Sequence, residues 1–143
     1  MSGRRIILYS AGVACALGVV ALLLTLSAAK RRAESLGCAS SITSICLSAH
    51  LWAKDHGGLM PTNFICMSNE ISAPKILSCI PARRARTENW ADFSLENCTY
   101  EILVPGMQVD DTNTAFLRCT IHGHLGYSDS TVFDGVRRRT KFD

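Results

Sequence analysis

The run Cys119-Thr120-Ile121-His122-Gly123-His124 places one thiol and two imidazoles within six residues. Thiolate sulfur and imidazole nitrogen are soft and borderline donors suited to zinc or copper, and Gly123 lets the backbone fold around an ion. Cys119, His122 and His124 are therefore candidate metal ligands, with a fourth donor, Cys79 or His56, to come from elsewhere in the chain. The alternative is that Cys119 is oxidised to a disulfide and both histidines occupy a turn ahead of a final hairpin.

Other chemistry is sparse. There is no phosphate-cradling glycine loop, zincin helix or serine elbow, and no Cys-x-x-Cys-His run to attach haem. His50 and His56 are six apart and share no helix face, while Asp110-Asp111 lacks the ligand alternation of a calcium loop. Trp52 and Trp90 suit a core. No catalytic residue, no cofactor beyond that zinc or copper ion and no small-molecule substrate is expected, so the chain does not read as an enzyme.

Six of the seven cysteines, Cys38, Cys46, Cys66, Cys79, Cys98 and Cys119, lie in the C-terminal part of the chain, a small unit that would gain from covalent staples. Cys38, Cys79, Cys98 and Cys119 are the disulfide candidates. Cys46 reads as a small buried hydrophobe and Cys15 as a free thiol. Pairing would put this part of the chain in an oxidising compartment outside the cytoplasm.

The elements that must position these groups begin with an anchor. Residues 6–29 contain no charge, and these 24 residues reach about 36 Å as a helix, against a hydrocarbon core of about 30 Å. The h-region of a signal peptide is shorter, so an uncleaved transmembrane span in lipid is expected. The chain then divides into a short tail (1–5), the span (6–29), a stalk helix with its head (30–136) and a basic C-terminal tail (137–143). Arg4 and Arg5 on one flank oppose Lys30, Arg31 and Arg32 on the other, so charge alone leaves the orientation open. Beyond Arg32, ten Lys and Arg face twelve Asp and Glu. Positive charge clusters only in Arg83-Arg84-Ala85-Arg86 and in the tail, read as a solvated loop and a frayed end, and no nucleic-acid partner is expected.

Past the basic flank, Cys38, Ile42, Ile45, Cys46, Ala49, Trp52 and Ala53 recur at helical spacing, predicting a helix over 33–56 that ends at Gly57-Gly58 and runs on from the span. Pro61-Thr62-Asn63 predicts a turn and 64–70 a short helical turn. Strands are predicted at 76–80, 99–104 and 116–120, and at 125–128 and 131–133 across an Asp129-Ser130 loop. The fold class is α+β: a transmembrane helix continuing into a stalk, capped by a small antiparallel sheet.

That layout resembles type IV pilins and the pseudopilins of type II secretion. Cys38-Ala39-Ser40-Ser41-Ile42-Thr43-Ser44-Ile45, then Leu51-Trp52-Ala53-Lys54-Asp55-His56-Gly57-Gly58-Leu59-Met60-Pro61, is similar to the helix end and first loop of a pilin-like family abundant in verrucomicrobial and planctomycete bacteria. Met67-Ser68-Asn69-Glu70-Ile71-Ser72-Ala73-Pro74-Lys75-Ile76-Leu77-Ser78-Cys79 is similar to that family's Ser-Asn-Glu-Leu-x-Thr-Pro-Lys segment, and Asn89-Trp90-Ala91-Asp92-Phe93 and Asn97-Cys98-Thr99-Tyr100 also fit. Most of 38–132 is covered. The anchor departs from the pattern: Gly3 is followed by Arg4-Arg5-Ile6-Ile7-Leu8, and the span lacks the glutamate that pilins carry at the fifth position. The resemblance implies a structural protein of the bacterial inner membrane with its head in the periplasm, partnered by pilin-like subunits. The departure points to the alternative, an accessory subunit of a larger membrane complex with a recruited pilin-like head.

Overall fold

A computed structural model of the chain describes residues 3–82 and 86–139. Of the basic cluster at 83–86, only Arg86 is among them, and residues 140–143 of the tail also lie outside. The chain forms two compact units, 1–34 and 35–143.

Helix α1 (Gly3–Asp55) supplies the regular structure of the first unit and opens the second. In the first unit Leu17, Val19, Val20, Leu22, Leu23, Leu24 and Leu26 are all more than half exposed. This is the surface of a helix long and apolar enough to cross a membrane. Lys30 and Glu34 pair across one turn at 3.9 Å after the apolar run ends.

In the second unit α1 turns one side inward. Of the seven residues picked out by spacing, Cys38, Ile42, Ile45, Cys46, Ala49 and Ala53 are fully buried, and Trp52 is partly buried against the same core. The helix ends at the expected glycines, where Gly58 N–H donates to Ala53 O at 2.9 Å. Among the described residues of the next forty, the regular structure is single turns of 3₁₀ helix, at Ile65–Met67, Pro74–Leu77, Trp90–Asp92 and Leu95–Asn97. The first fits the predicted helical turn. The second replaces the strand predicted at 76–80. Pro74 starts a 3₁₀ turn, Ser78 is extended behind it, and Pro81, with no N–H, follows too soon for a ladder to form.

The sheet is an antiparallel meander of five short strands in chain order: β1 (Tyr100–Ile102), β2 (Ala115–Cys119), β3 (Leu125–Tyr127), β4 (Val132–Phe133) and β5 (Arg138–Arg139). Its inner face packs on α1 through Phe116, Leu117 and Val132. The approach is closest at Gly126. A Cβ there would lie 2.5 Å from Ile42 Cγ2 and 2.7 Å from Cys46 Sγ, distances that real side chains do not reach.

Strand β5 corrects the reading of the basic tail as frayed, because Arg138 and Arg139 pair with Phe133 and Val132. The Arg138 guanidinium donates to both Asp129 carboxylate oxygens at 3.0 Å and to Thr112 O at 2.6 Å, and it lies 3.9 Å over the Tyr127 ring. Asp129 also accepts from Thr131 N–H at 3.0 Å, shaping the β3–β4 connection, in which Ser130 takes a positive φ of 64°. Partial burial alone would raise the Asp129 carboxyl. The hydrogen bonds from Thr131 and the Arg138 cation outweigh it, so the group lies below the usual carboxylate range.

Two expectations follow. Gly126→Ala forces α1 off the sheet and lowers unfolding stability by about 1–3 kcal/mol in denaturant titrations. Asp129→Asn lowers stability at neutral pH by about 1 kcal/mol, the exposed pair being partly screened by solvent. Because the folded pKa is depressed, the Asp129 contribution is full above the unfolded value of about 3.9 and is lost as pH falls through the folded one. Melting curves of the two proteins should therefore converge in acid, and a gap that persists at low pH would show that the carboxylate charge is not what acts.

Candidate metal centre

Four side chains from four stretches of the second unit meet between α1 and the sheet. Cys38 faces inward from α1, Cys79 follows the second 3₁₀ turn, Cys119 ends β2, and His122 sits in the turn after it. The three sulfurs and an imidazole nitrogen all lie within 4.8 Å of one another. His122 Nδ1 is 3.3 Å from Cys79 Sγ and 3.9 Å from Cys119 Sγ. Cys38, Cys79 and Cys119 are at most 1% exposed, whereas His122 is half-buried.

Each position has a local cause. Pairing of Tyr100 with Cys119 across β1 and β2 puts both side chains on the face that meets α1, where the Tyr100 hydroxyl donates to Cys38 Sγ at 3.7 Å. Cys79 is held through buried Thr99, whose hydroxyl accepts from Cys79 N–H at 2.7 Å and whose N–H donates to Leu77 O at 2.9 Å. The turn 119–123 closes when Gly123 N–H donates to Cys119 O at 2.9 Å, with Gly123 at φ 71°, a conformation glycine takes without steric cost. That turn aims the His122 N–H at Cys119 Sγ, 3.5 Å away.

The electrostatics divide the three thiols. A hydrogen bond from Cys38 lowers Cys119 most. With the N–H groups of His122 and Ile121 and the His122 side chain it overcomes burial, holding Cys119 down at about 4. Cys38 is raised, because its thiol proton is held toward Cys119 and because it is buried. Burial, followed by the Cys119 charge, raises Cys79. Tyr100 is likewise raised by burial and then by the neighbouring sulfurs, so its hydroxyl remains a donor. Chemically, this is a buried set of three sulfurs and one imidazole that could hold a metal ion.

The sequence-derived ligand set changes accordingly. Cys119 and His122 are in the cluster, and Cys79, one of two proposed fourth donors, joins them. His124 is outside it: its ring stacks on His122 at 5.2 Å, and its Nε2 lies 3.3 Å from Ser35 Oγ on α1. His56 is elsewhere, stacked on Trp52 at 3.7 Å and donating from Nδ1 to Trp52 O. Cys38 enters from the disulfide list.

The disulfide expectation itself is not met, since all seven cysteines are free. Cys38, Cys79 and Cys119 converge as a trio around one point rather than as a bonded pair. The remaining candidate, Cys98, donates its thiol to Tyr100 O at 3.1 Å. Asp111, considered for calcium, caps the turn before β2 by accepting from the N–H groups of Asn113 and Thr114. The inward spacing of Cys38 was the one available signal for its role. Nothing local marked Tyr100.

The chain matches no family model, no curated protein and no solved structure.

Proposed function

We propose that this chain is a non-catalytic, single-span membrane protein that acts by binding, as a structural subunit of a bacterial envelope assembly whose head is built on a zinc or copper centre. The observation that carries this reading is the outer face of α1. Residues 35–53 contain no Asp, Glu, Lys or Arg, yet Leu36, Leu47 and Leu51, which share one helical face, are between 45% and 61% exposed. A solvated helix normally carries charge on its outer face, and an uncharged leucine face suits packing against another protein.

Two assemblies fit. An accessory subunit of a larger membrane complex is favoured by the span, which has no glutamate for a pilin-type pairing inside lipid. A pseudopilin of a type II secretion or type IV pilus-like system is favoured by the layout of a long N-terminal helix and a small antiparallel meander. In both, the amino terminus lies in the cytoplasm and the head in the periplasm, anchored at the inner membrane. The pilin-like resemblance alone supports that orientation, because free thiols give no argument for an oxidising side.

Replacing Leu36 and Leu47 by Lys should dissolve the native complex on blue-native gels while leaving head stability within about 0.5 kcal/mol, as for other surface changes. An intact complex would remove the binding role of this face. For topology, Val136→Cys, at an 85% exposed position, should react with a membrane-impermeant maleimide once the outer membrane is permeabilised. Protection until the inner membrane is broken would place the head in the cytoplasm.

A further inference from the structure

We infer that Cys38, Cys79, Cys119 and His122 form a closed tetrahedral Zn²⁺ site whose ion ties α1, the 77–81 stretch and the end of β2 into one head. This rests on the reading that the cluster holds a transition ion, and adds which ion it is and what it does.

The geometry carries the choice of ion. Zinc bonds of about 2.3 Å to sulfur and 2.0–2.1 Å to nitrogen, at tetrahedral angles, separate two sulfurs by about 3.8 Å and a sulfur from a nitrogen by about 3.6 Å. Two of the three sulfur-to-nitrogen distances, 3.3 Å from Cys79 and 3.9 Å from Cys119, straddle that value, and no pair of ligand atoms exceeds 4.8 Å. Such a space suits one ion rather than a polynuclear cluster. Calcium and magnesium require oxygen donors, and Cu²⁺ and Ni²⁺ prefer planar arrangements. Four protein donors of the Cys₃His type fill a tetrahedron and leave no position for substrate, the pattern of a structural zinc.

The outer contacts suit an anionic zinc–thiolate centre. Three thiolates on Zn²⁺ leave one net negative charge, toward which the Tyr100 hydroxyl and the His122 N–H already point. Ligation through Nδ1 also leaves the His122 ring free to stack on His124.

The placement carries the role. Between the end of α1 and β1 the described residues form only single 3₁₀ turns. Cys79 lies midway along this stretch, so an ion bridging it to Cys38 and Cys119 closes long loops at a single point.

The test uses the full chain in detergent, purified under reducing conditions. One zinc per chain is expected by mass spectrometry, and Co²⁺ should replace it with the intense visible bands of tetrahedral thiolate cobalt. Cys38→Ser, Cys79→Ser and Cys119→Ser should lose the ion, while Cys46→Ser, Cys66→Ser and His124→Ala keep it. Since loss variants can also misfold, two further variants separate ligation from folding: His122→Cys should retain zinc, and His122→Ala should bind it at least about 100-fold more weakly. Tyr100→Phe should weaken binding about tenfold. Chelation of the native protein should speed amide exchange at Ile42, Cys46 and Cys79, reversibly on adding zinc. A native chain that binds neither Zn²⁺ nor Co²⁺ overturns the metal reading and this inference together. A chain isolated with stoichiometric copper in place of zinc, or whose chelated head exchanges as slowly as the loaded one, overturns the inference alone.

Discussion

Helix α1 can lie as deep against the sheet as it does only because Gly126 has no side chain beneath Ile42 and Cys46. That separation decides what else can exist in the head. It lets Phe116 and Leu117 of β2 reach the helix and be fully buried. It also brings the end of β2 close enough for Cys119 to approach Cys38, one turn before Ile42 on α1. A sheet held further off by one methyl group would still have a hydrophobic core, but the sulfurs would no longer meet. The packing of the core and the assembly of the cluster are thus the same constraint seen at two points along one helix.

Much of this was legible in the sequence where periodicity was strong. The buried positions of α1 follow from their spacing, and the strands at 100–102, 115–119, 125–127 and 132–133 fall within or beside stretches rich in β-branched and aromatic residues. Local propensity failed where a neighbour overrode it. The stretch Ile76-Leu77-Ser78-Cys79-Ile80 has strand composition, but its flanking prolines leave it one 3₁₀ turn and an extended Ser78, with Leu77 and Cys79 on either side tied to Thr99. Arg138 and Arg139 look like a solvated tail until Asp129 and Thr131 are placed beside them, and only the tertiary fold does that.

The cysteines show the same limit in chemical form. Cys119 and His122 are three apart and could be paired by eye, while Cys38 and Cys79 stand 81 and 40 residues before Cys119. Counting thiols in a small head suggests covalent pairs, and the same count is compatible with a shared point of convergence. What separates the two is that a third thiol and the His122 imidazole meet at the same place, and no spacing rule brings Cys38 and Cys79 there. His124 had the same sequence credentials as His122. Alternation along the strand entering β3 turned it toward Ser35 on α1 instead.

The last strand has a further effect at the rim of the sheet. A meander has two free edges, and an unpaired edge offers its N–H and C=O groups to any extended chain that drifts past. Here one edge ends in β5, two residues long and made of Arg138 and Arg139. At the other edge, beside β1, Thr99 N–H is already bonded to Leu77 O. A strand of two residues, both arginine, is a poor template for a second copy of itself. Detachment of β5 would expose β4 as a new edge, so the Arg138 contacts with Asp129 and Thr112 keep that edge covered as well as clasping the fold.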